Sequence, residues 1–254
     1  MKPMTILACA SAIVAVAGCN KKPTGETTTS APVHYANVKP PAGGDWSQVI
    51  NPTPDGGMMM GDPNAKVHLI EIGSLTCPHC QHFEESAVDS LVNNYVKTGQ
   101  VSYEFRNYIR DTFDLSAVVI AHCNGPNGFF PLVRAFYDTQ PDWEGNLQKV
   151  PQSQTEQLEN LPENQIALQA AKIAGFLDWA AARGVPQAKS TQCLSDTKSI
   201  DQFVSQSGAV TQQWPSFSGT PGFVINGTMV DLGSVTEDQV WPTLQTKLKA
   251  ALGG

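Results

Sequence analysis

The spacing of apolar positions changes several times along this chain. Val67 to Gly73 reads Val-His-Leu-Ile-Glu-Ile-Gly, a short run dense in β-branched and apolar residues, and predicts a buried strand. Behind it, Cys80, Phe83, Ala87, Leu91 and Tyr95 recur at three- and four-residue steps, the period of a helix. Thr76 is placed to cap that helix, Pro78 suits its first turn, and Gly99 marks its end. Val101, Tyr103 and Phe105 then alternate with polar residues, as a second strand does. From about 113 to 208 helical spacing takes over, in Leu115 to His122, Phe129 to Tyr137, Gln165 to Ala182 and Ser199 to Ser205. Strand signals return in Gly222-Phe223-Val224-Ile225, with Asn226-Gly227 favouring a type I′ turn into Thr228-Met229-Val230. A closing helix carries Val240, Leu244 and Leu248 on one face, with Ser234 and Glu237, or Thr236 and Gln239, as alternative capping boxes. The pattern is that of an α/β chain interrupted by a helical block.

The N-terminus follows different rules. Lys2 supplies a positive start, Ile6 to Ala17 is a short apolar run, and Val16-Ala17-Gly18-Cys19 follows. That run is too short to span a bilayer. Its ending resembles a bacterial lipobox, in which a Cys is lipidated on its sulfur and becomes the mature N-terminus, so Cys19 is the expected lipidation residue. An ordinary cleaved secretory signal is the alternative, and either one exports the protein. Asn20 after the lipobox leans towards the outer membrane. Residues 20 to about 45 are polar and poor in apolar side chains, the composition of a tether. Anchored there, the domain sits in an oxidising compartment that permits disulfides.

With 254 residues and 41% hydrophobic content, the chain can bury a core without a disulfide scaffold. Lys plus Arg number 16 against 23 Asp plus Glu, a net charge of -7. No basic surface draws such a chain to phosphates, so nucleic acid is not an expected partner.

The chemistry sits in Cys77-Pro78-His79-Cys80. A Cys-x-x-Cys at the junction of strand and helix puts its first thiol at a helix N-terminus, against unsatisfied N–H groups and the positive dipole end. There the thiolate is stabilised. His79 adds charge or a hydrogen-bond donor, and Cys77 is expected to titrate low. A thiolate so stabilised favours the reduced pair, which makes the disulfide an oxidant, with Cys80 as resolving partner. The alternatives are a structural zinc half-site, for which His79 and His82 are the close extra ligands, and an inert disulfide. Met58-Met59-Met60 has two readings, a copper(I) thioether site or an ordinary strand or loop before a Gly-Asp-Pro turn. Cys123 and Cys193, one in each half of the helical block, are expected to form a structural disulfide, with two separate buried thiols as the alternative. The loop it closes, about 70 residues, is worth about 4 kcal/mol.

The segment Val67-His68-Leu69-Ile70-Glu71-Ile72-Gly73-Ser74-Leu75-Thr76-Cys77-Pro78-His79-Cys80, with Gly219-Thr220-Pro221-Gly222-Phe223-Val224-Ile225-Asn226-Gly227, resembles the DsbA-like thiol-disulfide oxidoreductases of the thioredoxin superfamily. The resemblance runs from about Met60 to the C-terminus. It implies a thioredoxin-like α/β fold with an inserted helical domain; together with the N-terminal reading, the chain is expected to divide as 1–18 leader, 19–45 tether, 46–112 first part, 113–208 helical insertion and 209–254 second part. It implies Pro221 as a cis-proline beside the active site and Thr220 as the residue whose backbone meets an extended substrate segment. A plain turn before a strand is the other reading of Gly219-Thr220-Pro221. Glu71 matches the acid that family members carry beneath the disulfide, where it can relay the proton of Cys80 through water, unless it simply reaches solvent. Two departures, Gly73 in place of an aromatic residue and Gly222 after the proline, are expected to widen or loosen the substrate groove.

The function this resemblance implies is an oxidase donating disulfides to unfolded or reduced exported proteins, reoxidised by a DsbB-like membrane partner. It needs no cofactor or metal, touches the membrane only through its lipid, and acts as a monomer. A reductase or isomerase on the same fold is one alternative. A copper- or zinc-binding lipoprotein using Cys77 and Cys80 is the other.

Overall fold

The computed structural model describes residues 40–253. Cys19, the leader over 1–18 and the tether residues before 40 lie outside them. Among the described residues, one sheet is built from β1 (Ile50–Pro52), β2 (Met58–Met60), β3 (Val67–Gly73), β4 (Val101–Asn107), β5 (Gly222–Ile225) and β6 (Thr228–Met229). The strand order is β1-β2-β4-β3-β5-β6. β3 and β4 are parallel, and every other neighbouring pair is antiparallel.

A parallel pair needs a crossover helix. It is α1, helical over 78–96, in which Pro78–Phe83 and Asp89–Leu91 are α-helical while Glu84–Val88 and Val92–Val96 are π-helical. The widening has a reason in the sequence. Phe83, Ala87, Leu91 and Tyr95 are spaced by fours, and in a regular α-helix each such step turns the side chain about 40° off the face. The wider π turns keep all four buried against the sheet.

The pleat of β3 then sorts its side chains. Val67 and Leu69 pack with Phe83, Leu91, Tyr95 and Phe223 under α1. Ile72 packs on the opposite face with Val210, Trp214 and Val224. Glu71 shares the parity of Val67 and Leu69, which places its carboxyl under α1.

Between β4 and β5 the chain is helical: α2 (Thr112–Cys123), α3 (Pro126–Asp138), α4 (Gln140–Leu147), α5 (Gln152–Glu159), α6 (Glu163–Ile173), α7 (Phe176–Ala181), α8 (Gln187–Cys193) and α9 (Thr197–Gln213). The helical spacing over Gln165 to Ala182 is not one helix, because Gly175, at φ 73°, breaks it between α6 and α7. α2 is buried on all sides from Ser116 to Ala121, packed by α3, α6, α8 and α9. β5 and β6 form the hairpin on Asn226-Gly227, both with positive φ. α10 (Glu237–Leu252) returns across the sheet with Leu244 and Leu248 fully buried. Its N-cap, Thr236, makes no side-chain cap bond, so neither expected capping box forms. This is the α/β architecture with a helical insertion that the sequence implies.

Gly73 does not loosen a groove. A Cβ there would lie 2.6 Å from the fully buried Phe105 ring, so the aromatic bulk absent at 73 is supplied from the neighbouring strand. Gly73→Ala is expected to destabilise the fold by about 1–3 kcal/mol, read as a lower urea midpoint at unchanged slope.

Candidate active site

The loop from β3 to α1 is held from the helical insertion. Asp114, fully buried in the first turn of α2, accepts hydrogen bonds from Ser74 Oγ at 2.6 Å, from the Leu75 N–H at 3.0 Å and from the Arg110 N–H at 3.0 Å. Tyr137 donates its hydroxyl to the Ser74 carbonyl at 3.0 Å. The buried Gln140 amide donates to the carbonyls of Leu75 at 2.9 Å and Cys77 at 3.3 Å. Arg110 holds the Thr76 carbonyl at 3.0 Å. Four side chains, none of them singled out by motif, thus fix the backbone that carries the first cysteine.

The cap of α1 is Cys77, in extended geometry and with Pro78 as the first helical residue. The expected Thr76 cap is not formed, because the helix starts one residue later and Thr76 Oγ1 pairs with Ser74 Oγ at 3.2 Å. Both thiols are free. Cys77 is 3% exposed and Cys80 0%. The Cys77 thiol is brought down to about 5, foremost by the hydrogen bond from Cys80, with the Thr220 side chain and the backbone N–H groups of Cys80 and His79 adding to it against burial. Burial, first, and the Cys77 hydrogen bond push Cys80 well above the ordinary thiol range. One sulfur is set to be a thiolate and its neighbour a thiol.

The cis peptide Thr220–Pro221 lies across from this pair, and when protonated Cys77 Sγ donates to the Thr220 carbonyl at 3.3 Å. The plain-turn reading does not describe this segment. Beside it runs a groove of about 450 Å³ lined by Phe217, Pro221, Phe223, Met229 and Val230 among others. Gly222 does not widen it. A Cβ there would meet the Phe217 ring at 2.7 Å, so that ring takes the space a side chain would.

Glu71 is 1% exposed, which overturns its reading as a carboxylate reaching solvent. The Tyr103 hydroxyl donates to it at 2.6 Å. Burial raises its pKa to about 8; the charges of Glu84 and Cys77 add to this and the Tyr103 hydrogen bond opposes it. A carboxyl raised in the folded state costs nothing below its unfolded value near 4.5 and costs progressively more as pH rises towards 8. Glu71→Gln in the reduced protein is therefore expected to match wild type near pH 4 and to exceed it by roughly 3 kcal/mol at pH 7. Urea unfolding across that range checks it. A gap that is constant with pH contradicts a protonated Glu71.

His79 departs from expectation. Its backbone N–H supports the Cys77 thiolate, but its ring turns to the Glu237 carboxylate at the start of α10. His82 Nε2 lies 3.3 Å from Asp238 Oδ1 beside it. Among the described residues no group of three or more His, Cys, Asp or Glu is placed to hold a metal ion. Met58, Met59 and Met60 are buried along β2, where the pleat sends Met59 to the face opposite the other two. Cys123 and Cys193 are joined by a disulfide of 2.08 Å that ties the end of α2 to the end of α8.

Comparison with known proteins agrees with this geometry. The structure of a protein-disulfide isomerase from Novosphingobium aromaticivorans superposes with a TM-score of 0.70 at 32% identity, over 77% of this chain and 97% of that one. That of Wolbachia pipientis alpha-DsbA1 superposes at 0.59 and 21% identity, over 80% and 93%, and shows the same fold. A Rickettsia felis relative, named as a candidate protein-disulfide oxidoreductase, is 26% identical over 188 residues, 73% of this chain and 58% of its own length. The chain thus spans under two thirds of that curated relative. A family model described as thioredoxin matches residues 53–246. The chain belongs to the thioredoxin family and has the DsbA-like form of its fold, with a helical insertion.

Proposed function

We propose that this protein is a thiol-disulfide oxidoreductase that donates its Cys77–Cys80 disulfide to reduced, unfolded exported proteins. The observation that carries the reading is the split between the two thiols, Cys77 at about 5 and Cys80 far above it. A substrate thiolate attacks Cys77 Sγ, the Cys77–Cys80 bond breaks, and Cys80 departs with the electron pair. Because that site disfavours charge, Cys80 takes a proton, supplied through water by Glu71, which is protonated up to about pH 8. A second substrate thiolate attacks the substrate sulfur of the mixed disulfide and releases Cys77 as a thiolate. The substrate loses two electrons and the pair gains them. Pro78 starts the helix that favours this thiolate, and Thr220 and Pro221 offer backbone to the substrate strand.

In this reading the redox domain is 46–112 with 209–254, and 113–208 is the insertion that holds its loop. Residues 1–18 export it, 19–45 tether it, and lipid on Cys19 anchors it facing the periplasm as a monomer, with a DsbB-like membrane protein returning it to the oxidised form. The Cys123–Cys193 disulfide favours such an oxidising compartment. No helix among the described residues is long and apolar enough to cross a membrane.

The name of the Novosphingobium relative favours a second reading, disulfide isomerisation. Two substrates separate them. The oxidised protein is expected to put disulfides into a reduced, denatured protein at one per protein consumed, and to do little to a fully oxidised, scrambled one. Rearrangement of the scrambled substrate by the reduced protein, without net oxidation of the reduced one, favours the isomerase and contradicts the oxidase.

A further inference from the structure

The ring between the two cysteines does not stand free. His79 Nδ1 meets Glu237 across the gap between α1 and α10, and on the same face of α1 His82 Nε2 lies 3.3 Å from Asp238 Oδ1 without a hydrogen bond to it. Of the two approaches, His79 to Glu237 is the hydrogen bond that links the two helix starts. Glu237, which a capping box would fold back onto its own helix, reaches out instead, while Thr236 caps nothing with its side chain. The groups that favour the Cys77 thiolate are Cys80, Thr220 and two backbone N–H groups, and the His79 ring is not among them.

We infer that Glu237 is a positioning residue for the redox pair, holding the His79 imidazole away from Cys77 and so restraining the oxidising strength of the Cys77–Cys80 disulfide. The inference rests on the redox reading above. An imidazole released from its carboxylate is free to turn towards Cys77 as a cation or a donor. Either favours the thiolate and with it the reduced pair. A carboxylate in the first turn of α10 also suits the helix dipole. Asp238 shares that place without touching His79, which makes it the control.

The test measures the glutathione equilibrium and the Cys77 thiolate absorbance as a function of pH, in the full chain and in its variants. Exchange by wild type establishes the redox reading independently of Glu237. Glu237→Gln is expected to shift the equilibrium roughly threefold towards the reduced protein and to move the Cys77 titration about half a pH unit lower. Asp238→Asn moves neither, and in a His79→Ala background Glu237→Gln loses its effect. Glu237→Asp, which keeps the charge on the helix but draws it back from the ring, shifts both in the same direction and serves should the Gln variant not fold. No shift, a shift towards the oxidised protein, or an equal shift in the His79→Ala background overturns the inference.

Discussion

Cys77→Ser is expected to abolish disulfide donation to a reduced protein substrate, by roughly three orders of magnitude or more, and Cys80→Ser, with no disulfide to give, to do the same, but only Cys80→Ser captures partners that already carry a disulfide. The asymmetry follows from the two thiols. Without Cys77 the remaining sulfur is fully buried and pushed far above the ordinary thiol range, so it neither attacks nor is reached. Without Cys80 the Cys77 thiolate can still attack a disulfide in an oxidised substrate, expelling one substrate sulfur as a thiolate and forming a mixed disulfide, and no second thiol of the pair is there to resolve it. With a disulfide-bearing protein substrate, covalent complexes should accumulate with Cys80→Ser on non-reducing gels and be absent with Cys77→Ser. Complexes captured equally by both variants contradict the assignment of Cys77 as the reacting sulfur.

Removing the second disulfide with Cys123→Ser/Cys193→Ser lowers stability by about 4 kcal/mol, because it releases a loop of 70 residues in the unfolded chain. Urea unfolding at pH 7 reads the loss. The pH matters because the His122 ring, next to Cys123, is half-buried between Phe129 and Phe203, each 4.6 Å away, and desolvation there draws its pKa down to about 3. On acidification from about 6.5 the unfolded chain takes up a proton that folded His122 refuses, so the His122 contribution to stability is lost towards pH 3 in both forms, opposite in sign to that of Glu71. A change well below 1 kcal/mol would mean that the helical block is held without the crosslink.

What was legible in the sequence is what depends on local period and motif. Val67 to Gly73 reads as a strand because its apolar density is high. Cys77 falls at the start of a helix because Pro78 and the apolar steps after it permit little else, and Asn226-Gly227 sets its turn by backbone geometry alone. What was not legible depends on contacts between distant residues. Asp114 is separated from Ser74 by 40 residues, and in sequence it is one acid at the edge of an apolar run. Gln140 is as unmarked. The direction of the His79 ring is set by Glu237, 158 residues away. The two glycine departures misled for the same reason, since Phe105 and Phe217, which fill the missing volume, are distant from Gly73 or on the far side of the proline from Gly222. The Thr76 cap was misplaced by one residue, the usual uncertainty at a helix end.

The central claim is that Cys77 and Cys80 form an oxidising pair, and the most direct measurement is their equilibrium with glutathione at graded ratios, trapped by alkylation. The split between the thiols predicts a potential above that of glutathione, in the range of roughly -180 to -120 mV. A potential near roughly -270 mV, that of a reducing thioredoxin, or a pair that does not exchange at all, would contradict it.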